Sequence, residues 1–252
     1  MKADQDLIDY SIALGDDALM LGQRLSEWCS NAPFLEEDLA LANVALDFIG
    51  RARMLYGYAA ELEGGVRSED SIAFLRDCRD YRNLLILELP RGDFAFSIAR
   101  QFLVDAFNLL FLESLGGSRD QRLAAIAAKS LKETRYHWRR SRDWMLRLGD
   151  GTEESQRRVQ QALKELWGYT VELFTMSEME SRLASAGVAV DRSALLAPWN
   201  ALVDATLAQA TLARPAQEWS VVGGREGVHT EHLGHMLSEL QFMQRAYPGL
   251  EW

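Results

Sequence analysis

Cysteine is nearly missing from this sequence: there are two in 252 residues, Cys29 and Cys78. They lack metal-type spacing, and a chain of this size needs no disulfide to hold a core. Neither a cross-linked scaffold nor a thiolate metal site is therefore expected. Only five prolines interrupt the chain. β-branched residues are sparse and alternating apolar patterns are hard to find, which argues against strands. No apolar run approaches the ~20 residues that a bilayer requires, and the opening Met-Lys-Ala-Asp-Gln-Asp carries no signal-like segment. Basic charge is short as well: 27 Lys and Arg face 37 Asp and Glu, for a net charge of −10. Such a chain repels nucleic-acid phosphate and acidic lipid. No nucleic acid and no membrane are expected as partners, and the expected location is cytoplasmic.

What remains is abundant Ala, Leu, Glu and Arg, residues that lose little side-chain entropy in a helix. With 48% hydrophobic residues the chain can bury a sizeable core. The expected class is all-α. Helical periodicity runs almost end to end. A first helix spans about Asp4 to Cys29, with Leu7, Leu14, Ala18, Leu21, Leu25 and Trp28 on one stripe. A second runs from about Glu36 to Leu62 and stops at Gly64-Gly65. A third, capped by Ser68, continues to just before Pro90. Asp93 opens a fourth, ending at Leu115. Ser118 caps a fifth to about Leu148, and a long sixth covers Glu153 to about Ala186. Ser193 to Leu212 forms a seventh. Arg214 to Gly227 reads as irregular, and His229 to Ala246 as an eighth helix. Connections are short and nothing divides the chain, so residues 1–252 are expected to form one domain, an up-and-down bundle with additional C-terminal helices.

Acidic residues fall within otherwise apolar faces. Asp17 lies on the stripe of the first helix with Asp16 beside it. Asp47 shares a face with Asn43, Gly50 and Met54; Asp105 stands among Ile98, Phe102, Leu109 and Leu112; Glu133 and His137 are one turn apart. A carboxylate left alone in an apolar interior is costly, so these groups are expected to be paired, protonated or metal-bound. Four helices each giving an inward carboxylate is the ferritin-like di-metal layout, which needs a Glu from two helices and a Glu-x-x-His pair from the other two. The pattern breaks where it should be most specific. Asp47-x-x-Gly50 has glycine at the imidazole position. Glu133-x-x-Tyr136 has tyrosine there, with His137 four residues on. Asp16 or Asp17, with Asp47, Asp105, Glu133 and His137, therefore read as relic positions of a lost site. Internal ion pairs with cations such as Arg51, Arg100, Lys132 or Arg140 are the expected replacement.

Several stretches carry a family resemblance. They include Leu-Gly-Asp at 14–16, Gln-Arg-Leu-Ser-Glu-Trp-Cys at 23–29 and Asp-Leu-Ala-Leu-Ala-Asn at 38–43. Others are Ala-Lys-Ser-Leu-Lys-Glu at 128–133 and Arg-Tyr-His at 135–137. The most specific is the tail, Gly-Val-His-Thr-Glu-His-Leu-Gly-His-Met-Leu-Ser-Glu at 227–239, ending Tyr-Pro-Gly-Leu-Glu-Trp. With these the chain resembles the C subunit of the bacterial phenylacetyl-CoA epoxidases, the phenylacetate-degradation oxygenases of the ferritin-like superfamily. The likeness extends over essentially the whole chain. It implies a structural subunit that is not catalytic by itself, with no cofactor of its own. It pairs with a homologous subunit that carries the di-iron site, alongside a small subunit and a reductase subunit. The resemblance also favours Asp16 over Asp17 as the first relic, whereas helical phasing favours Asp17. Two other readings stay open: a di-metal oxidase with atypical carboxylate ligands, and a free-standing helical binding protein. When alone, the chain can be a homo-oligomer.

Two further features stand out. Lys129, Lys132, Arg135, Arg139 and Arg142 recur at steps of three and four. They form a basic stripe that suits an acidic partner or CoA phosphates, or equally a solvated face. His229, His232 and His235 fall within seven residues. They lack the two-His-one-Glu arrangement of zinc proteases, so a structural or interface role at the start of the last helix is expected. Trp138, Trp144, Trp167, Tyr169 and Phe174 read as core or interface residues.

Overall fold

A computed structural model describes residues 2–250, with side chains from Gln5 onward. Among the described residues there are eleven α-helices, four short 3-10 turns and no strand. The fold is all-α and ferritin-like, as expected. In chain order the α-helices are α1 (Lys2–Ser26), α2 (Leu35–Leu62), α3 (Glu69–Phe74), α4 (Leu85–Glu88), α5 (Phe94–Leu115) and α6 (Gln121–Gly149). They continue as α7 (Glu153–Trp167), α8 (Glu178–Ser185), α9 (Leu196–Gln209), α10 (Glu231–Leu240) and α11 (Phe242–Ala246). The last two residues of the resemblance motif, Glu251 and Trp252, lie outside the described residues.

Contacts group the chain into two compact units. The first comprises Met1–Cys29, Leu39–Pro90 and Gly223–Trp252; the second comprises Ser30–Asp38 and Arg91–Val222.

In the first unit, α1 is buried on almost every side between Tyr10 and Leu25. Close approach to α2 depends on two glycines one heptad apart. A Cβ at Gly15 would stand 2.5 Å from Tyr56 Cε1, and one at Gly22 would stand 2.9 Å from Ile49 Cγ1. The expected third helix is broken into α3, a 3-10 turn at Cys78–Asp80, and α4. Its backbone donors have other partners: the N–H groups of Arg82 and Leu84 are donated to the carboxylates of Asp16 and Asp17, each at 2.8 Å. An α-helix through 78–84 would need those same donors for its own ladder.

In the second unit, α5 is the core helix. Ile98, Ala99, Phe102, Leu103 and Ala106 are fully buried, and Trp199 donates its indole N–H to the Leu103 carbonyl at 3.0 Å. By length and composition α5 would span a bilayer, contrary to the expectation that no segment approaches that limit. The apolar window is 78% buried within the protein, as a core helix requires. The fifth helix starts later than expected. Asp120 accepts from Leu123 N, while the Ser118 hydroxyl donates to the Val188 carbonyl. The expected sixth helix stops at Trp167. Trp219 lies so close to Gly168 that a Cβ there would overlap the indole, and a Ser177–Glu180 capping box restarts the chain as α8. The seventh opens with a 3-10 turn at Arg192–Leu195 before α9.

Candidate functional site

Asp16 and Asp105 are the two expected acidic positions with no exposed surface, and Asp16 lies in the first unit. Its carboxylate accepts from the Tyr56 hydroxyl at 2.6 Å and from Arg82 N at 2.8 Å. Arg76 grips it through both guanidinium nitrogens, with Nη1 at 3.0 Å from Oδ2 and Nη2 on Oδ1. Burial works against the Arg76 charge, but Asp16 holds its pKa above the ordinary arginine value. Burial, and then the neighbouring Asp16 charge, push Tyr56 well above the usual phenol range. Tyr81, which also faces Arg76 at 4.1 Å from ring centroid to guanidinium carbon, is pushed up to about 12, chiefly by burial. Asp16 is thus held in a cage of donors.

Asp17 has its own cation. Arg225 engages it as a fork, Nη1 to Oδ1 at 2.9 Å and Nη2 to Oδ2 at 2.5 Å. Arg225 belongs to the segment before α10, which crosses this unit as a strap. Gly227 makes the crossing possible: its φ is +76°, and a Cβ would collide with the Arg79 carbonyl oxygen. Two residues on, His229, whose side chain is enclosed, sets Nδ1 2.8 Å from Glu88 Oε2 and Nε2 3.0 Å from the Tyr81 carbonyl. Thr230 N and Asn83 Nδ2 also donate to the Glu88 carboxylate, at 2.6 and 2.8 Å. Arg24 reaches the Glu88 and His232 carbonyls at 2.7 and 3.2 Å. The three histidines therefore do not converge. The His229 side chain is enclosed and bonded, His232 is half-buried, and His235 is exposed. α10 begins at Glu231 rather than at His229, because the histidine ring and the Thr230 N–H are committed to Glu88.

Asp47 differs from expectation. The buried face of α2 is Leu41, Val44, Ala45, Phe48, Arg51, Ala52 and Leu55. Asn43 is exposed, while Asp47, Gly50 and Met54 are half-buried, so the face they share is not the inward one.

In the second unit, Asp105 is fully buried and accepts from Gln101 Nε2 at 2.6 Å and from the Ser141 hydroxyl at 2.8 Å. Burial lifts its pKa to about 6, against the opposing pull of His137, of these two hydrogen bonds and of Arg140. His137 is buried on α6. Glu133 is only half-buried, and Tyr136, at the expected imidazole position, is 45% exposed. Arg140 is ion-paired with Glu37. The basic stripe occupies one side of α6: Lys129, Lys132, Arg135 and Arg139 are exposed and Arg142 is half-buried. Arg135 lies 3.6 Å from Glu113, and Arg142 donates to Gln209 at 2.7 Å. Of the aromatic residues, Trp167, Phe174 and Trp199 line a cleft of about 350 Å³, with Arg214 4.9 Å above the Trp167 ring.

A family model described as "Phenylacetic acid catabolic protein" matches residues 1–252. The chain belongs to that family. It is 50% identical over 246 residues to the C subunit of the 1,2-phenylacetyl-CoA epoxidase of Escherichia coli (strain K12), covering 98% of this chain and 99% of that relative.

Ferritin-like members of such a family raise the question of a di-iron centre, which the donor set here does not fit. In the first unit, Asp16 has a guanidinium, a phenol and an amide N–H on its oxygens, where a metal would need open lone pairs. In the second, Asp105 has a raised pKa and accepts from a serine and a glutamine, and the imidazole position beside Glu133 is Tyr136. Among the described residues no three His, Cys, Asp or Glu side chains are grouped to hold a metal ion. The sequence gives little warning of Arg76, Arg225 and Glu88. Arg225 is visible only as part of Gly223-Gly224-Arg225, a run too short for a phosphate loop, and Glu88 is the lone acid in Leu-Leu-Ile-Leu-Glu-Leu.

Proposed function

We propose that this chain is a non-catalytic, structural subunit of a multicomponent phenylacetyl-CoA 1,2-epoxidase. It pairs with a homologous subunit that carries the di-iron centre, next to a small subunit and a reductase. The observation that carries this reading is the Asp16 cage: the acid best placed to be a metal ligand is neutralised by Arg76 and saturated by Tyr56 and Arg82. The family membership and the likeness to an epoxidase C subunit supply the reaction. On this reading residues 1–252 work as one functional domain in the cytoplasm, and no cofactor belongs to the chain itself.

The test is metal analysis of the purified chain together with turnover of phenylacetyl-CoA, alone and with the other subunits. The expected result is iron far below one ion per chain, no turnover alone, and a stable complex with turnover on mixing. Iron at di-iron stoichiometry with oxygen uptake by the isolated chain would reject the reading. The exposed stripe Lys129, Lys132, Arg135 and Arg139 is the proposed docking face for an acidic surface or for CoA phosphates. Reversing Arg135 and Arg139 to Glu should weaken assembly steeply at low salt, because exposed charges act beyond about 10 Å only when salt is low. Assembly that is unchanged removes this docking assignment.

A further inference from the structure

The cleft walled by Trp167, Phe174 and Trp199 has no part in the reading above, and its lining lies wholly in the second unit. Its rings are held in place by one another. The Trp199 ring centroid is 5.9 Å from that of Trp167 and 5.3 Å from that of Phe174. The one polar atom of the Trp199 side chain is spent on the Leu103 carbonyl, so that residue offers the cleft only carbon. Another part of the lining comes from the irregular segment after α9, which is anchored at both ends. Ala213 exchanges hydrogen bonds of 2.8 and 2.9 Å with the Gln160 side chain. Trp219 packs against Gly168 and stands T-shaped to Tyr169. Between these anchors, Arg214 and Gln217 are held at the cleft. The site is therefore preformed, as small-molecule sites usually are.

We propose that this cleft binds a small aromatic carboxylate, with the ring against Trp167, Phe174 and Trp199 and the carboxylate on Arg214. Size allows it: a cavity of about 150 Å³ takes benzene, so about 350 Å³ takes one ring with a short acidic side chain. Charge selects the acid. The Arg214 guanidinium donates to Asp204 Oδ1 at 2.5 Å and to Asn200 Oδ1 at 2.7 Å, through different Nη atoms. Its Nε–H and the second N–H of each Nη are outside these bonds, and a guanidinium matches a carboxylate with two parallel donors. The Arg214–Asp204 pair is exposed on both sides, and exposed pairs contribute little, so a ligand acid can share or take the guanidinium at small cost. An amine fits worse. The face of Trp167 already carries a cation, Arg214 itself, which would repel a second one.

Titration calorimetry on the purified full chain is the test, with 3-phenylpropionate and its uncharged amide as probes. The acid should bind saturably and the amide at least about tenfold more weakly, since a hydrogen bond to a charged group is the stronger kind. Arg214→Met should erase that difference and leave the amide as it was. Asp204→Asn should tighten the acid about threefold by removing the competing anion, without changing the amide. Leu196→Trp, at a cleft position that is 44% exposed, should block both probes by filling the space. All three side chains are exposed, so circular dichroism and unfolding midpoints should match the wild type. No saturable binding of the acid to the wild type would overturn the site. So would an amide that binds as tightly as the acid, or acid binding that survives both Arg214→Met and Leu196→Trp.

Discussion

At His229, both ring nitrogens face groups that only accept: a carboxylate oxygen of Glu88 and the carbonyl of Tyr81. A neutral imidazole has one N–H and can satisfy only one of them, so the pair of acceptors selects the imidazolium. Burial opposes the charge, yet Glu88, the Tyr81 carbonyl and the more distant Asp16 carry the pKa above 6.5. A histidine whose folded pKa is raised contributes stability that is complete below its unfolded pKa and is lost as pH rises through the folded value. His229→Gln should therefore cost about 1–3 kcal/mol near pH 6 and clearly less near pH 9, by urea unfolding at both. Equal costs would contradict the charged pair. Asp105 shows the same sign on an acid. Its folded pKa of about 6 lies above the ordinary aspartate value of 3.8, so its neutral form is the stable one in the fold. That contribution is present below about pH 4 and disappears as pH rises through about 6. Asp105→Asn keeps an acceptor for Gln101 and can donate to the Ser141 oxygen. It should stabilise the chain by about 1–3 kcal/mol above pH 7 and gain nothing near pH 4, again by urea unfolding.

Elements are positioned by close approaches that a single methyl group disturbs. Gly15→Ala would drive a Cβ into the Tyr56 ring, and that ring is held by its hydroxyl on Asp16. The expected cost is about 1–3 kcal/mol in thermal or urea unfolding. Gly22→Ala should cost less, because its nearest atom is the movable Ile49 side chain. Most helices are legible from the sequence at this scale, and so is the Asp93 cap of α5, since caps and period are local signals. The third and sixth helices are not. They are interrupted by tertiary bonds, from backbone N–H groups to Asp16 and Asp17 and by Trp219 against Gly168, that no local window contains. The candidate site is half legible for the same reason. Asp16 and Asp105 are the buried acids that the pattern predicts, but the cation for Asp16 comes from just past α3 and the one for Asp17 from more than 200 positions away. Asp47 does not face inward because α2 has leucines on both sides, so hydrophobicity alone does not give its phase.

For the whole molecule, the lack of a di-iron ligand set among the described residues is more than a matter of missing imidazoles. Where ligands alone have been lost, restoring them should restore the metal. In this chain, guanidinium and other donors occupy the acid that would have to bind, and a buried ion pair opposes its own disruption by about 3–5 kcal/mol. The double variant Gly50→His, Tyr136→His recreates both Glu-x-x-His-type spacings at positions able to accept them. The Gly50 Cβ direction is open, and Tyr136 is already part-exposed, so the variant should fold. It should still take up iron far below one ion per chain, measured by elemental analysis after reconstitution with ferrous iron under nitrogen. Adding Arg76→Met removes the cation, which should cost stability without supplying the missing glutamates. Stoichiometric iron in the double variant alone would mean that Arg76 yields to a metal. The fixed charge around Asp16 would then be a consequence of losing the site, not the barrier to regaining it.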